Sequence, residues 1–208
     1  MLGVAGLAGP LGRAALTVGL VGTVFGLIAA VMGTRQNDAK VLRLMPRFAL
    51  LSGVASVGAF ACMEWAMITR DFSLAYVQKV GSWSTPALFN FTAVWSALEG
   101  SILLWLMVLT LLTVGITVKY RTKLDDPMVG WALATMFFVG IFFFVLTLGP
   151  ANPFAAGAKG VLDGPGPNPL LQNHILVLFH PPILYLGYVG FTVPFAFAIG
   201  AQIGRAHV

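Results

Sequence analysis

The stretch AALTVGLVGTVFGLIAAVM, Ala14–Met32, contains no charged residue. A helix needs about 20 apolar residues to cross the hydrocarbon layer of a bilayer. This stretch is apolar on all faces rather than along one stripe, as a helix in lipid is. Similar runs lie at Phe48–Ile68, interrupted by Glu64, at Val94–Val118, with Glu99 near its start, and at Met128–Leu148. A final run, Ile175 to about Ala201, is broken by Pro181 and Pro182 and carries Pro194 further on. Proline is tolerated in the first helical turn, where its missing N–H would be unpaired anyway. The last span is therefore expected to begin near Pro181, which places His180 at its outward mouth, with residues 170–179 along the interface or dipping into it. The expected fold is all-α: a polytopic membrane bundle with spans near 14–32, 48–68, 94–118, 128–148 and 181–201, forming one unit over residues 1–202.

Composition agrees with that reading. Of 208 residues, 58% are hydrophobic and 9% are Asp, Glu, Lys or Arg, against about 25% charged in an average soluble domain. Too little charge is present to cover a water-facing surface. This excludes a soluble enzyme, a disordered chain and a nucleic-acid-binding domain. The net charge of +5 reflects the excess of Lys and Arg that cytoplasmic loops collect. Cys62 is the single cysteine and reads as a small buried hydrophobe. The N-terminus has no basic n-region, so no cleaved signal peptide is expected.

Few residues can carry chemistry. Intramembrane carboxylates are costly, which makes Glu64 and Glu99 functional candidates by default. The plain alternative is that they snorkel to the interface or pair with Arg70 or Lys79. Aromatics gather toward one side: Trp65, Tyr76, Trp83, Phe89, Phe91, Trp95, Phe154, Phe179 and Tyr185. They suit an interfacial belt or a docking surface for a planar apolar ligand. The segment Gly164-Pro165-Gly166-Pro167-Asn168-Pro169 is a rigid, irregular connector that positions the chain after it. Next along the chain comes His180, whose imidazole can ligate a metal or haem iron, or merely cap or pack. His174 lies six residues away and is not its helical neighbour. No second His or Cys at ligand spacing supports a protein-only metal site.

The motifs carry a resemblance. Asp71-Phe72-Ser73-Leu74-Ala75-Tyr76-Val77 comes first, then Trp95-Ser96-Ala97-Leu98-Glu99-Gly100-Ser101-Ile102-Leu103-Leu104-Trp105, then Asn168-Pro169-Leu170-Leu171-Gln172. His180-Pro181-Pro182-Ile183-Leu184-Tyr185-Leu186-Gly187-Tyr188 and Val193-Pro194-Phe195-Ala196-Phe197-Ala198 complete the series. In order and spacing, from about residue 34 to residue 201, they resemble the N-terminal part of the CcmF/NrfE family. These are cytochrome c-type biogenesis proteins, membrane subunits of the haem lyase. The resemblance implies receipt of haem b from a CcmE-type chaperone and its attachment to the Cys-x-x-Cys-His thiols of apocytochrome c. It also implies CcmH/CcmI-type partner subunits and a location in the bacterial inner membrane or its mitochondrial counterpart.

The resemblance assigns His180 the role of haem axial ligand, with Pro181, Pro182 and Tyr185 in support. It leaves Glu99, Gly100, Ser101 and Trp105 as a motif without an assigned job. Leu98 stands where relatives commonly have His. In the family, the tryptophan-rich WWD segment and the other histidine ligands lie downstream of the part that this sequence resembles, and His174 and His207 match none of them. A fragment inactive by itself as a haem lyase is the expectation. Ile203–Val208 breaks from the family pattern and reads as a non-native tail, with a split gene as the rival explanation. Other readings left open are a transporter or channel subunit and a structural half of a split haem lyase.

Arg35, Lys40, Arg43 and Arg47 come after the first span, and Lys119, Arg121 and Lys123 after the third. The other two loops carry Arg70 with Lys79, and Lys159. The positive-inside rule places the N-terminus and these less basic loops outward, in the periplasm. Alkaline phosphatase fused after residue 80 or 160 is expected to be active, and inactive after residue 40 or 122. The reverse pattern would invert the topology.

Overall fold

The computed structural model describes residues 5–170 and 174–205. The elements in chain order are α1 (Ala8–Gln36), α2 (Ala39–Leu42), α3 (Met45–Thr69), α4 (Ala75–Val80), α5 (Ala87–Thr92), α6 (Leu98–Lys119), α7 (Pro127–Leu148), α8 (Leu176–Gly190) and α9 (Thr192–Arg205). A 3-10 turn, Ala93–Trp95, joins α5 to the approach of α6. Five segments are long and apolar enough to cross a membrane: α1, α2 with α3, α6, α7, and α8 with α9. The expected helical membrane bundle is the observed one.

Helix ends obey local chemistry. Asn37 stops α1 in the left-handed conformation (φ 51°), which Asn tolerates better than most residues. Asp38 then caps α2, its Oδ1 accepting from the Lys40 N–H at 2.8 Å, as N-cap residues do. Asp126 performs the same service for Met128 at the start of α7 (2.9 Å), with Pro127 in the first turn.

A glycine stripe sets the packing of α1. Gly12, Gly19, Gly26 and Gly33 recur every seventh residue and lie on one face. A Cβ at Gly12 would strike the ring of Phe154, at Gly19 that of Phe144, and at Gly26 that of Phe137. Phe137 and Phe144 are themselves seven apart on α7. Each ring is fully buried, laid on bare backbone where small residues let helices approach. A seven-residue repeat keeps such a seam facing its partner along two helices.

Several hydroxyl side chains inside the bundle are paired or folded back. The Thr23 hydroxyl of α1 donates to Ser52 Oγ of α3 (2.9 Å). Ser56 Oγ of α3 and Thr110 Oγ1 of α6 share a hydrogen bond of 2.6 Å. Thr113, Thr135 and Thr147 donate to carbonyls of their own helices.

The bundle has two unlike ends. The basic end holds α2 and the α6–α7 turn, with Arg35 over the Trp131 ring (5.7 Å). The loop-rich end carries α4, α5 and the long connection from Gly149 toward α8. Gly19→Val is expected to lower stability by about 1–3 kcal/mol, because the Phe144 ring has nowhere to go. Gly58→Ala, with nothing within 4 Å of the added Cβ, is expected to be neutral or slightly stabilising. Thermal unfolding in detergent measures both.

Candidate functional site

The two loops at the loop-rich end are zipped into one platform. The Ala75 N–H donates to Ala155 O (2.9 Å), and the Gly157 N–H donates to Ser73 O (2.8 Å). Gln78 Nε2 donates to Phe72 O (2.7 Å) and Ala158 O (2.8 Å), while Gln78 Oε1 accepts from the Ala158 N–H (3.0 Å). Trp83 is fixed three ways. Its Nε1 donates to Leu162 O (2.9 Å), its backbone N–H donates to Asp163 Oδ1 (2.9 Å), and the Arg70 guanidinium sits 4.9 Å over its ring. The N–H groups of Trp83 and Gly164 hold the Asp163 carboxyl below its usual range. The expected connector is tied at Gly166, whose N–H donates to Gly81 O (3.2 Å) just after α4.

Beneath this platform lies the Glu99 motif. Glu99 takes an ion pair from Lys79 Nζ (3.0 Å), so its charge is paired at the helix mouth. Gly100 is required by contact, because a Cβ there would run into the Val94 carbonyl and the Tyr76 hydroxyl. That hydroxyl donates to Val94 O (2.7 Å), and burial pushes the phenol far above its ordinary range, so it stays a donor. The Ser101 hydroxyl donates to Trp95 O (2.9 Å) and accepts from the Tyr185 hydroxyl (3.3 Å). Trp105 stacks on Tyr188 (6.2 Å, 24°) and meets Tyr185 edge-on (5.4 Å). The motif that lacked a role is the seat on which α8 is docked. A cleft of about 210 Å³ opens beside it between Tyr76, Lys79, Glu99, Pro150 and Asn152.

Helix α8 departs from expectation. It begins at Leu176, not Pro181, and Pro181 and Pro182 lie inside it. Residues 176–179 are thus part of the helix; Leu171, Gln172 and Asn173 fall outside the described residues, as does His207. A proline in a helix removes the donor to the carbonyl four residues back. For Pro181 that carbonyl is Val177 O, and Trp95 Nε1 donates to it at 2.9 Å. His174 Nδ1 accepts from the Leu176 N–H (3.3 Å) and caps the helix. His180 therefore sits within α8, one turn from its start, instead of at the mouth. The chain also breaks at Phe191, so the last span is two helices rather than one.

His180 is exposed, and its imidazole has no hydrogen-bond partner among the described residues. Around it α8 presents Phe179, Ile183 and Leu184. The α8–α9 span is 17% buried within the bundle, against 39–50% for the others. A free imidazole on an apolar, open helix face suits a metal carried by an apolar planar group. Among the described residues no three His, Cys, Asp or Glu gather as a metal set.

The remaining candidates divide by burial. Glu64 is 8% exposed, and neither carboxylate oxygen has a partner among the described residues. It neither snorkels nor pairs, because Lys79 is taken by Glu99 and Arg70 reaches Ser82 O and Thr85 O instead. Of the aromatics, Tyr76, Trp95 and Phe154 are core, while Trp65, Trp83, Phe91 and Phe179 face outward.

The class defined so far is a polytopic helical membrane protein with a free histidine on a proline-containing helix, docked by a tryptophan–glutamate–glycine–serine seat. The profile of the Cytochrome C assembly protein family matches residues 95–206. The chain belongs to that family and is of the CcmF/NrfE type. It is 43% identical to the cytochrome c-type biogenesis protein CcmF of Pseudomonas fluorescens over 147 residues, covering 70% of this chain and 22% of that one. It is 38% identical to CcmF of Pseudomonas aeruginosa, covering 91% and 28%. A solved structure, Cytochrome c Heme Lyase CcmF, superposes with a TM-score of 0.80 at 34% identity, covering 95% of this chain and 31% of that chain. The chain thus spans about a quarter of the length of the curated relatives it matches.

Gly100→Ala is expected to cost about 3 kcal/mol, since backbone and a buried phenol must both shift. Gly115→Ala on the same helix meets nothing within 4 Å and is the neutral control. Thermal melts of the two variants side by side check this.

Proposed function

We propose that this chain is the N-terminal membrane part of a haem lyase subunit in cytochrome c maturation, in the bacterial inner membrane with its loop-rich end in the periplasm. The observation that carries the reading is the free imidazole of His180 on the open apolar face of α8. Haem b is the substrate, received from a CcmE-type chaperone, and its iron accepts an axial nitrogen. His180 supplies that nitrogen. Phe179, Ile183 and Leu184 offer apolar surface to the flat ring and exclude water. Pro181 and Pro182 stiffen the turn after the ligand. Tyr185 ties α8 to Ser101, which fixes how far the imidazole projects. The fixed orientation leaves the ring edge for the vinyl groups to meet the Cys-x-x-Cys-His thiols of apocytochrome c. CcmH/CcmI-type subunits would hold that peptide.

The alternatives fit less well. A transporter places polar groups and broken helices near the bilayer midplane. Here the mid-bundle hydroxyls are spent on their own helices or on each other, the interruption at Phe191 brings no charged side chain with it, and the polar loops gather at one end.

His180→Ala is expected to lower haem retained in the membrane-reconstituted protein at least tenfold, about 1.4 kcal/mol of binding. Pyridine haemochrome assay and the axial-ligand absorption bands read it. Unchanged haem content with an unchanged spectrum removes His180 from the site.

A further inference from the structure

We propose that Trp95 is the positioning residue for His180, acting as the hydrogen-bond donor that Pro181 cannot be. The inference rests on the reading of His180 as the haem ligand.

Pro181 and Pro182 each lack a backbone N–H, so α8 is missing two donors, those that would bond Val177 O and Leu178 O. In an α-helix the N–H of residue 181 would bond Val177 O, but Pro181 has none. In a low-dielectric surrounding an unpaired carbonyl is costly. Val177 is buried, so water cannot take over. The Trp95 indole N–H reaches that oxygen at 2.9 Å from 82 residues earlier in the chain. Trp95 is itself held: its carbonyl accepts from Ser101, and Phe91 meets its ring edge-on at 5.4 Å. The indole thus transmits a fixed position from the start of α6 to the first turn of α8. His180 lies three residues beyond Val177, about one turn along the same helix.

This explains two motifs together. The His-Pro-Pro block leaves Val177 O and Leu178 O without their backbone donors, and the Trp of the Glu-Gly-Ser block supplies a donor to the first. A backbone N–H would satisfy Val177 O without tying α8 to anything. A side-chain N–H satisfies it and anchors the helix. Trp95 touches no substrate in this scheme; it acts through Val177 on the direction of the imidazole.

A double-mutant cycle in nanodiscs tests the idea. Trp95→Phe keeps a ring but deletes the donor. Hydrogen exchange of the Leu178–His180 amides in haem-free protein is expected to quicken about tenfold, the loss of one buried hydrogen bond. Pro181→Ala restores a backbone N–H aimed at Val177 O. The double variant is therefore expected to return exchange to within about twofold of the parent. If the effects of the two substitutions simply add, or if Trp95→Phe leaves exchange unchanged, the proposal fails.

A Trp95→Phe chain that inserts only when Pro181→Ala is present supports it. A double variant that does not recover overturns it. Incorporating the benzothiophene isostere of tryptophan at position 95 repeats the deletion without loss of ring volume and is expected to give the same tenfold change. Haemin titration supplies the second readout. Trp95→Phe is expected to weaken binding several-fold and to broaden the axial-ligand bands, with rescue by Pro181→Ala. If haemin binding is indifferent to His180→Ala while the exchange cycle behaves as stated, haem ligation by His180 falls and the anchoring of α8 by Trp95 stands.

Discussion

A backbone carbonyl inside a bilayer has no water to turn to, and the whole chain is arranged around that fact. Helices satisfy their own backbone, so every membrane-spanning segment here is a helix. Interior threonines return their hydroxyls to carbonyls of the preceding turn. Apart from the interruption at Phe191, the non-helical backbone among the described residues lies at the ends, where the loops of the loop-rich end bond each other in a short run of strand-like contacts. Among the described residues only α8 carries adjacent prolines in mid-helix, and there a side chain from elsewhere supplies a donor.

Packing places that exception where it can act. The glycine stripe of α1 receives the rings of Phe137, Phe144 and Phe154, which sets α7 and the start of the loop after it against α1. With those elements placed, the loop meets α4 through Leu74 and Ala156. Tyr76 then holds the turn before α6 through Val94 O, and α6 presents Ser101 and Trp105 to α8. The position of His180 is thus the end of a series of close contacts, most of them between small or aromatic residues with little freedom to adjust.

Much of the fold was legible because the solvent is so selective. Apolar length and flanking charge locate spans when water is absent, and five segments long and apolar enough to cross are observed, as expected. The last starts elsewhere than expected, for a definite reason. The rule that proline belongs in a first turn counts only local donors and acceptors, and so it places the helix start at Pro181. Trp95 changes the count from a distance. The same limit hid the purpose of Glu99, Gly100, Ser101 and Trp105, whose partners Lys79, Tyr76, Tyr185 and Tyr188 lie up to 84 residues away in the chain. Glu64 was singled out because a carboxylate in a span is costly, but its lack of any partner is visible only once Lys79 and Arg70 are seen engaged elsewhere.

The sequence by itself determined that this is a helical membrane bundle with about five spans, and which motifs carry its family likeness. Those are properties of composition, of charge along the chain and of local order. The tertiary structure decided where the last helix begins, which carboxylate is paired, and how His180 is held. Those outcomes turn on single hydrogen bonds and steric contacts between distant residues. No local pattern encodes whether an indole N–H arrives within 2.9 Å of one carbonyl.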